Sequence, residues 1–341
     1  MRILLCTAVL CISINVYADF CSSLFRPISN HQDIKQTRAE LTALEKVEAI
    51  NQDRYDQAFD GKIRADYIPE FDTIRQYSVS GRIPSDAKVR VLVTHGSGAI
   101  YSHSDAMRQV IRWLGEDKGL AKLSSNISKI REYPNFTKVA IEAIDLPFHG
   151  KGSRAENLRD KDEVSKYLER YLIHMKEETP HLPIVVFGRS SSPSLFIEIL
   201  TRNPSLIDAV IFMSPVVPLN REIVMEGTRK ALEMAEKGEF AVYPEGLAWI
   251  DNILLNTRWN ENSLNHKPAL FLTGREDWEV VDIERNFMST LAQKHSNVRH
   301  IDIPGAGHDV FRQTKINTDK QVLETLKAIE DFLAEVAKTK N

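Results

Sequence analysis

Short apolar runs recur along the chain from about residue 89 onward, each halted by glycine, serine, histidine or proline, and stretches of helical spacing separate them. Val89-Arg90-Val91-Leu92-Val93 runs into His95-Gly96-Ser97-Gly98, and Lys138 to Ile144 runs into Asp145-Leu146-Pro147-Phe148-His149-Gly150. Ile184 to Phe187, Ala209 to Met213, Ala269 to Thr273 and Val298 to Ile303 repeat the pattern. Between them, Ala106 to Leu114, Asp162 to Lys176, Ser194 to Thr201 and Lys320 to Lys338 have helical periodicity. Near-continuous apolar strands alternating with helices predict an α/β fold, a mostly parallel sheet with helices on both faces. Ligands of such sheets gather outside the carboxyl ends of the strands, where the polar punctuation falls.

The sharpest of these punctuations is Gly188-Arg189-Ser190-Ser191-Ser192-Pro193. A buried strand turns there on a glycine and a serine and starts a helix at a proline, whose missing N–H costs nothing in a first turn. A corner of this kind pushes one hydroxyl beyond the sheet edge, beside the N–H groups of a helix start. A serine-rich helix start could also serve simply as a cap.

A net charge of −3 with dispersed basic residues gives no reason to expect a nucleic-acid partner. The 43% hydrophobic content supplies a large core. No cluster of residues has metal-ligand spacing, and no cofactor is implied. Single histidines such as His31, His174 and His295 read as surface or capping residues.

The first residues, Met1-Arg2 followed by an apolar run from Ile3 to Ile14 and then Val16-Tyr17-Ala18, have the order of a secretory signal over 1–18. The run falls short of the roughly 20 residues that a spanning helix needs. The expectation is an exported protein, periplasmic or secreted, with no transmembrane segment after cleavage. Two of the three cysteines fall in that segment, leaving Cys21 without an intrachain partner. Asn126-Ile127-Ser128 and Asn135-Phe136-Thr137 fit the glycosylation pattern. Residues 19–70 read as a helical extension, with Ile34, Leu41, Leu44, Val47 and Ile50 along one helix face. Phe71 to Gly81 reads as an edge strand opening a main domain over 71–341.

One insertion, over 216–266, interrupts the alternation with two helical stretches, Glu222 to Lys237 and Glu245 to Asn256. It reads as a lid. Met225, Trp249 and Trp259 give it an apolar face that either packs on the core or lines a substrate pocket.

The order of the motifs resembles the α/β-hydrolase superfamily over the chain from about Phe71 to the C-terminus: a serine elbow, then an acid after Gly274-Arg275-Glu276-Asp277, then a histidine after Gly305-Ala306-Gly307-His308. The resemblance implies Ser190 as nucleophile, His308 as general base and Asp277 as the orienting acid. Glu276, Asp302 and Asp309 are the rival acids, and no acid follows Ser214-Pro215 at once. His95 and His149 match motif histidines that shape loops. The superfamily pattern has glycine two residues after the nucleophile, where this chain has Ser192. Backbone N–H groups of Ser97 and Ser191 are the implied oxyanion donors.

The implied reaction is hydrolysis through an acyl-enzyme, on a small-molecule or lipid acyl substrate. Relatives with aspartate at the elbow, such as haloalkane dehalogenases and epoxide hydrolases, are disfavoured by the serine. Export turns the expectation toward carboxylic esters and away from coenzyme A thioesters. Amide or peptide cleavage is the alternative within the fold, and a non-catalytic binding protein the alternative outside enzymology. The sequence carries no signal of oligomeric state.

Overall fold

The computed structural model describes residues 63–78, 82–96, 110, 114, 138–150, 152–226, 229, 249, 252–277, 279–311 and 319–339. They belong to a compact unit spanning Gly61–Asn341. The segment expected as a signal, the amphipathic helix of the extension, Cys21 and both glycosylation motifs lie outside the described residues.

Eight strands form one sheet: β1 (Ile63–Ile68), β2 (Thr73–Ser78), β3 (Val89–Thr94), β4 (Val139–Ile144), β5 (Ile184–Arg189), β6 (Ala209–Met213), β7 (Ala269–Gly274) and β8 (Val298–Ile303). Their order is β1-β2-β4-β3-β5-β6-β7-β8. β2 runs antiparallel to both β1 and β4, and every other pair is parallel. β1 corrects two expectations. It takes residues from the end of the helical extension placed over 19–70, and its pairing makes β2 an interior strand. The run Ile63-Arg64-Ala65-Asp66-Tyr67-Ile68 is short and carries two charges, and within 65–68 the buried side chain is Ile68, so hydropathy gives it no strand signature.

Helices α1 (Lys161–Glu178), α2 (Pro193–Arg202), α3 (Asp282–Lys294) and α4 (Asp319–Lys338) flank the sheet. Alternate side chains of the parallel strands supply two cores. On one face Val186, Phe212 and Phe271 meet Leu168 and Leu172 of α1, Leu195 and Ile199 of α2, and Met288 of α3. On the other, Val91, Val185, Phe187 and Ile211 meet Leu326, Ile329 and Leu333 of α4, with Val110 and Leu114. Each fully buried aliphatic or aromatic side chain contributes about 1.5–3 kcal/mol. β3 carries one buried charge, Arg90, which bonds Glu142 (2.9 Å), Glu178 (2.6 Å) and the Met175 carbonyl (2.7 Å), tying β3 and β4 to the end of α1.

α3 was not foreseen. Its buried face consists of Glu284, Met288 and Leu291, and a glutamate among so few apolar positions hides the helical period. In the insertion, residues 221–226 and 252–256 are helical. The remainder of the two predicted helices lies outside the described residues, apart from Arg229 and Trp249. Among the described residues no helix is long and apolar enough to cross a membrane.

Candidate active site

Ser190 follows the last residue of β5 with φ of 58°. A β-carbon crowds the backbone in that left-handed region, so the surroundings must hold a serine there. They do so from the end of β6. The Ser190 N–H donates to the Met213 carbonyl (2.9 Å), and the Ser190 carbonyl accepts from Val216 N–H (2.8 Å). Two glycines clear the space. A β-carbon on Gly96 would lie 2.5 Å from the Ser190 Cβ and 3.0 Å from its Oγ. One on Gly188 would meet the Pro193 ring at 3.1 Å and Ser192 Oγ at 3.2 Å.

Ser192, standing where the superfamily pattern has glycine, has the ordinary helical angles φ −62° and ψ −30°. Its side chain does not cap α2. Instead its Oγ accepts from Arg189 N–H (3.0 Å) and from Thr94 Oγ1 (3.0 Å), and turns its own proton toward the Arg189 carbonyl (3.0 Å). The hydroxyl therefore ties the elbow to β3, and the helix-cap reading of the serine run fails at this residue.

Asp277 and His308 sit on the loops after β7 and β8, which are laced together. Arg275 N–H donates to the Ile303 carbonyl (3.0 Å) and Glu276 N–H to the Ala306 carbonyl (2.9 Å). A β-carbon on Gly274 would fall 2.2 Å from the Gly307 carbonyl oxygen, so only glycine permits this approach. His308 Nδ1 lies 3.0 Å from Asp277 Oδ2 and 3.2 Å from Oδ1. Oδ1 also accepts Glu279 N–H at 2.9 Å. Burial pushes the Asp277 carboxyl upward, but the charge of His308, their hydrogen bond and the Glu279 N–H outweigh it and hold it below the usual carboxylate range. Burial likewise pushes the His308 ring downward. Asp277 first, and Glu279 second, more than reverse this and raise it above an ordinary histidine.

The other nitrogen of His308, Nε2, faces Glu279 Oε2 at 3.3 Å. Among the described residues, the hydrogen bonds of the ring run to Asp277. The structure thus brings Asp277 and His308 together, and a bond between His308 and Ser190 is not among its contacts.

The rival acids are engaged elsewhere. Asp302 pairs with Arg275 (3.0 Å), Asp309 accepts Phe311 N–H (3.1 Å), and Glu276 takes no part in the bonds to His308. The rival histidines are buried. His95 Nε2 accepts Leu146 N–H (3.0 Å), which leaves Nδ1 protonated to donate to the Gly96 carbonyl (2.8 Å). His149 Nδ1 lies 2.9 Å from the Pro147 carbonyl, and its ring stacks obliquely on His95 at 4.8 Å. Burial, first among the causes, pushes both rings below the usual histidine range. Both rings thus bond to loop backbone, His95 between the segments that follow β3 and β4.

Ser191 is buried beside Ser190, whereas Ser97 lies outside the described residues. Met225 is half-buried on the short helix over 221–226. Trp249 and Trp259 are buried in the core. Trp249 Nε1 donates to the Leu158 carbonyl (2.6 Å); Trp259 Nε1 donates to Ser194 Oγ (3.0 Å) while its ring packs on Phe212 and Phe271.

Sequence reasoning missed Glu279 and Glu284. Glu284, fully buried on α3, accepts Val217 N–H (2.7 Å) and Val281 N–H (2.8 Å). Burial, with Asp277 adding to it, pushes its carboxyl up to about 7 against those two bonds. A carboxylate two places past Asp277 was the only available signal for Glu279.

No protein-family model matches the chain, and no curated protein sequence is similar to it. Solved structures do match in fold. An esterase from Pyrococcus furiosus superposes with a TM-score of 0.55 at 18% identity, over 82% of this chain and 93% of that one. A structure from work on carboxylesterases of Nitrososphaera gargenis gives 0.53 at 12% identity, over 81% of this chain and 100% of the other. A haloalkane dehalogenase from Bradyrhizobium elkanii gives 0.51 at 12%, over 81% and 97%. The fold is that of the α/β-hydrolase superfamily.

Proposed function

We propose that this chain is an exported serine hydrolase that cleaves carboxylic or lipid acyl esters. Ser190 Oγ attacks the acyl carbon as its proton passes to His308 Nε2, and the leaving alkoxide departs with that proton. Water then repeats the transfer and releases the acid and the serine. Asp277 fixes the Nδ1–H tautomer and balances the imidazolium. The N–H groups of Ser191 and Ser97 receive the oxyanion, a contribution of a few kcal/mol in comparable sites.

The observation that carries this reading is the hydrogen-bonded pair of His308 Nδ1 and Asp277, in a sheet whose β5 ends at a serine held in the left-handed region. The esterase and carboxylesterase names among the fold relatives support ester chemistry over the dehalogenase alternative, because position 190 is serine. Export rests on residues 1–18 alone and is read by sequencing the mature N-terminus. The site is tested by fluorophosphonate labelling of the purified chain beside Ser190→Ala and His308→Ala. Labelling confined to the parent is expected. Equal labelling of Ser190→Ala would place the reactive group elsewhere.

A further inference from the structure

We propose that Glu279 is a positioning residue of this site: its carboxylate clamps His308 through Nε2 and must release that nitrogen before Ser190 can use it. The inference rests on the serine-hydrolase reading. Nδ1 is committed to Asp277 at 3.0 Å, so Nε2 is the only nitrogen left for the nucleophile. Glu279 Oε2 lies 3.3 Å from it, in an ion-pair contact outside the ring's hydrogen bonds to Asp277. An ionised carboxylate offers only lone pairs, so this contact is attractive only when Nε2 carries a proton. A ring with protons on both nitrogens is an imidazolium, which can face two carboxylates at once but cannot act as a base.

Ser190 asks the opposite of the same atom, since its hydroxyl donates only to a bare Nε2. Glu279 and Ser190 therefore compete for one nitrogen in two protonation states. Three charged groups bear on the ring: Asp277 and Glu279 from the loop after β7, and Arg189 from β5, which acts against them. The two carboxylates differ in freedom. The Asp277 side chain is fully buried, whereas that of Glu279 is 21% exposed and makes no other ion pair among the described residues. Glu279 is thus the partner able to swing away, and it can return to the imidazolium that forms once Ser190 has passed on its proton.

The test follows the His308 ring by NMR and kcat/KM by ester turnover, both against pH, in the full chain and in Glu279→Gln. Glutamine keeps the size and removes the charge. The expected result is a fall of about one pH unit in the ring midpoint, with the acid limb of kcat/KM falling alongside it. Activity relative to plateau, measured one unit below the parent's midpoint, should rise about five-fold. Glu279→Asp, with a shorter arm, should fall between the two. A folded Glu279→Gln whose ring midpoint stays put overturns the clamp. So does a midpoint that falls while the acid limb does not move. If the parent resists the fluorophosphonate, the Ser190 reading is lost, yet the ring titration still decides whether Glu279 holds His308.

Discussion

Gly96 approaches Ser190 so closely that a β-carbon on the glycine would sit 2.5 Å from the serine's own Cβ. The end of β3 is therefore built around the side chain that β5 presents. Gly96→Ala has to displace Ser190 or the β3 loop. It should cost about 1–3 kcal/mol of stability by overpacking. The rate of fluorophosphonate labelling should fall by about 100-fold or more as Ser190 loses its alignment. Melting curves and labelling rates of the variant check both.

Ser192 gives a second prediction at the same corner. Ser192→Ala leaves Arg189 N–H and Thr94 Oγ1 without their acceptor, at a cost of about 1–3 kcal/mol for buried groups of this kind. Labelling of Ser190 should slow, because the loosened turn no longer fixes its hydroxyl. Denaturant midpoints and labelling rates should change together.

Asp277→Asn keeps the shape but offers His308 Nδ1 an amide that can force the wrong tautomer. Ester turnover should drop by about 10⁴-fold, with little change in KM. Steady-state kinetics on an activated ester checks it, and a drop of less than ten-fold would remove Asp277 from its assigned role.

Glu284 predicts a pH dependence of stability. Its carboxyl titrates at about 7 in the fold and at 4.5 when unperturbed. A folded value above the unfolded one means its stabilisation is fully present below 4.5 and is lost as pH rises through about 7. At about 1.4 kcal/mol per unit, the span corresponds to about 3 kcal/mol. Glu284→Gln cannot accept both Val217 N–H and Val281 N–H, so it is less stable than the parent at pH 4.5. That deficit should narrow as pH rises to 7, as thermal melts at several pH values would show.

Trp259 separates the two readings of the insertion. Its N–H bond to Ser194 and its packing on Phe212 and Phe271 are those of a core residue. Trp259→Phe should lower stability by about 1–2 kcal/mol while leaving acyl-chain preference unchanged. A shift in chain-length preference without loss of stability would instead put Trp259 in a substrate pocket.

The parallel strands were legible because each is an unbroken apolar run, a pattern that only burial on both faces produces. Arg90 shows the limit of that pattern: a charge inside the β3 run is accommodated by partners 52 and 88 positions away, Glu142 and Glu178. β1 escaped notice because its run is short and broken by Arg64 and Asp66, and α3 because its small buried set includes Glu284. At the site, Ser190, Asp277 and His308 each stand at a strand end that punctuation marks. Glu279 does not. Its importance arises from how two loops fold back to lace β7 to β8, and linear spacing does not record that return.

Ser192 bears on how chains of this kind are recognised. Its torsions are open to any amino acid, so what the position demands is a small side chain, not an unusual backbone. A search template that insists on glycine two places after the nucleophile mistakes a limit on volume for a limit on torsion. Chains that resolve the crowding with a hydroxyl, as this one does, would slip past it.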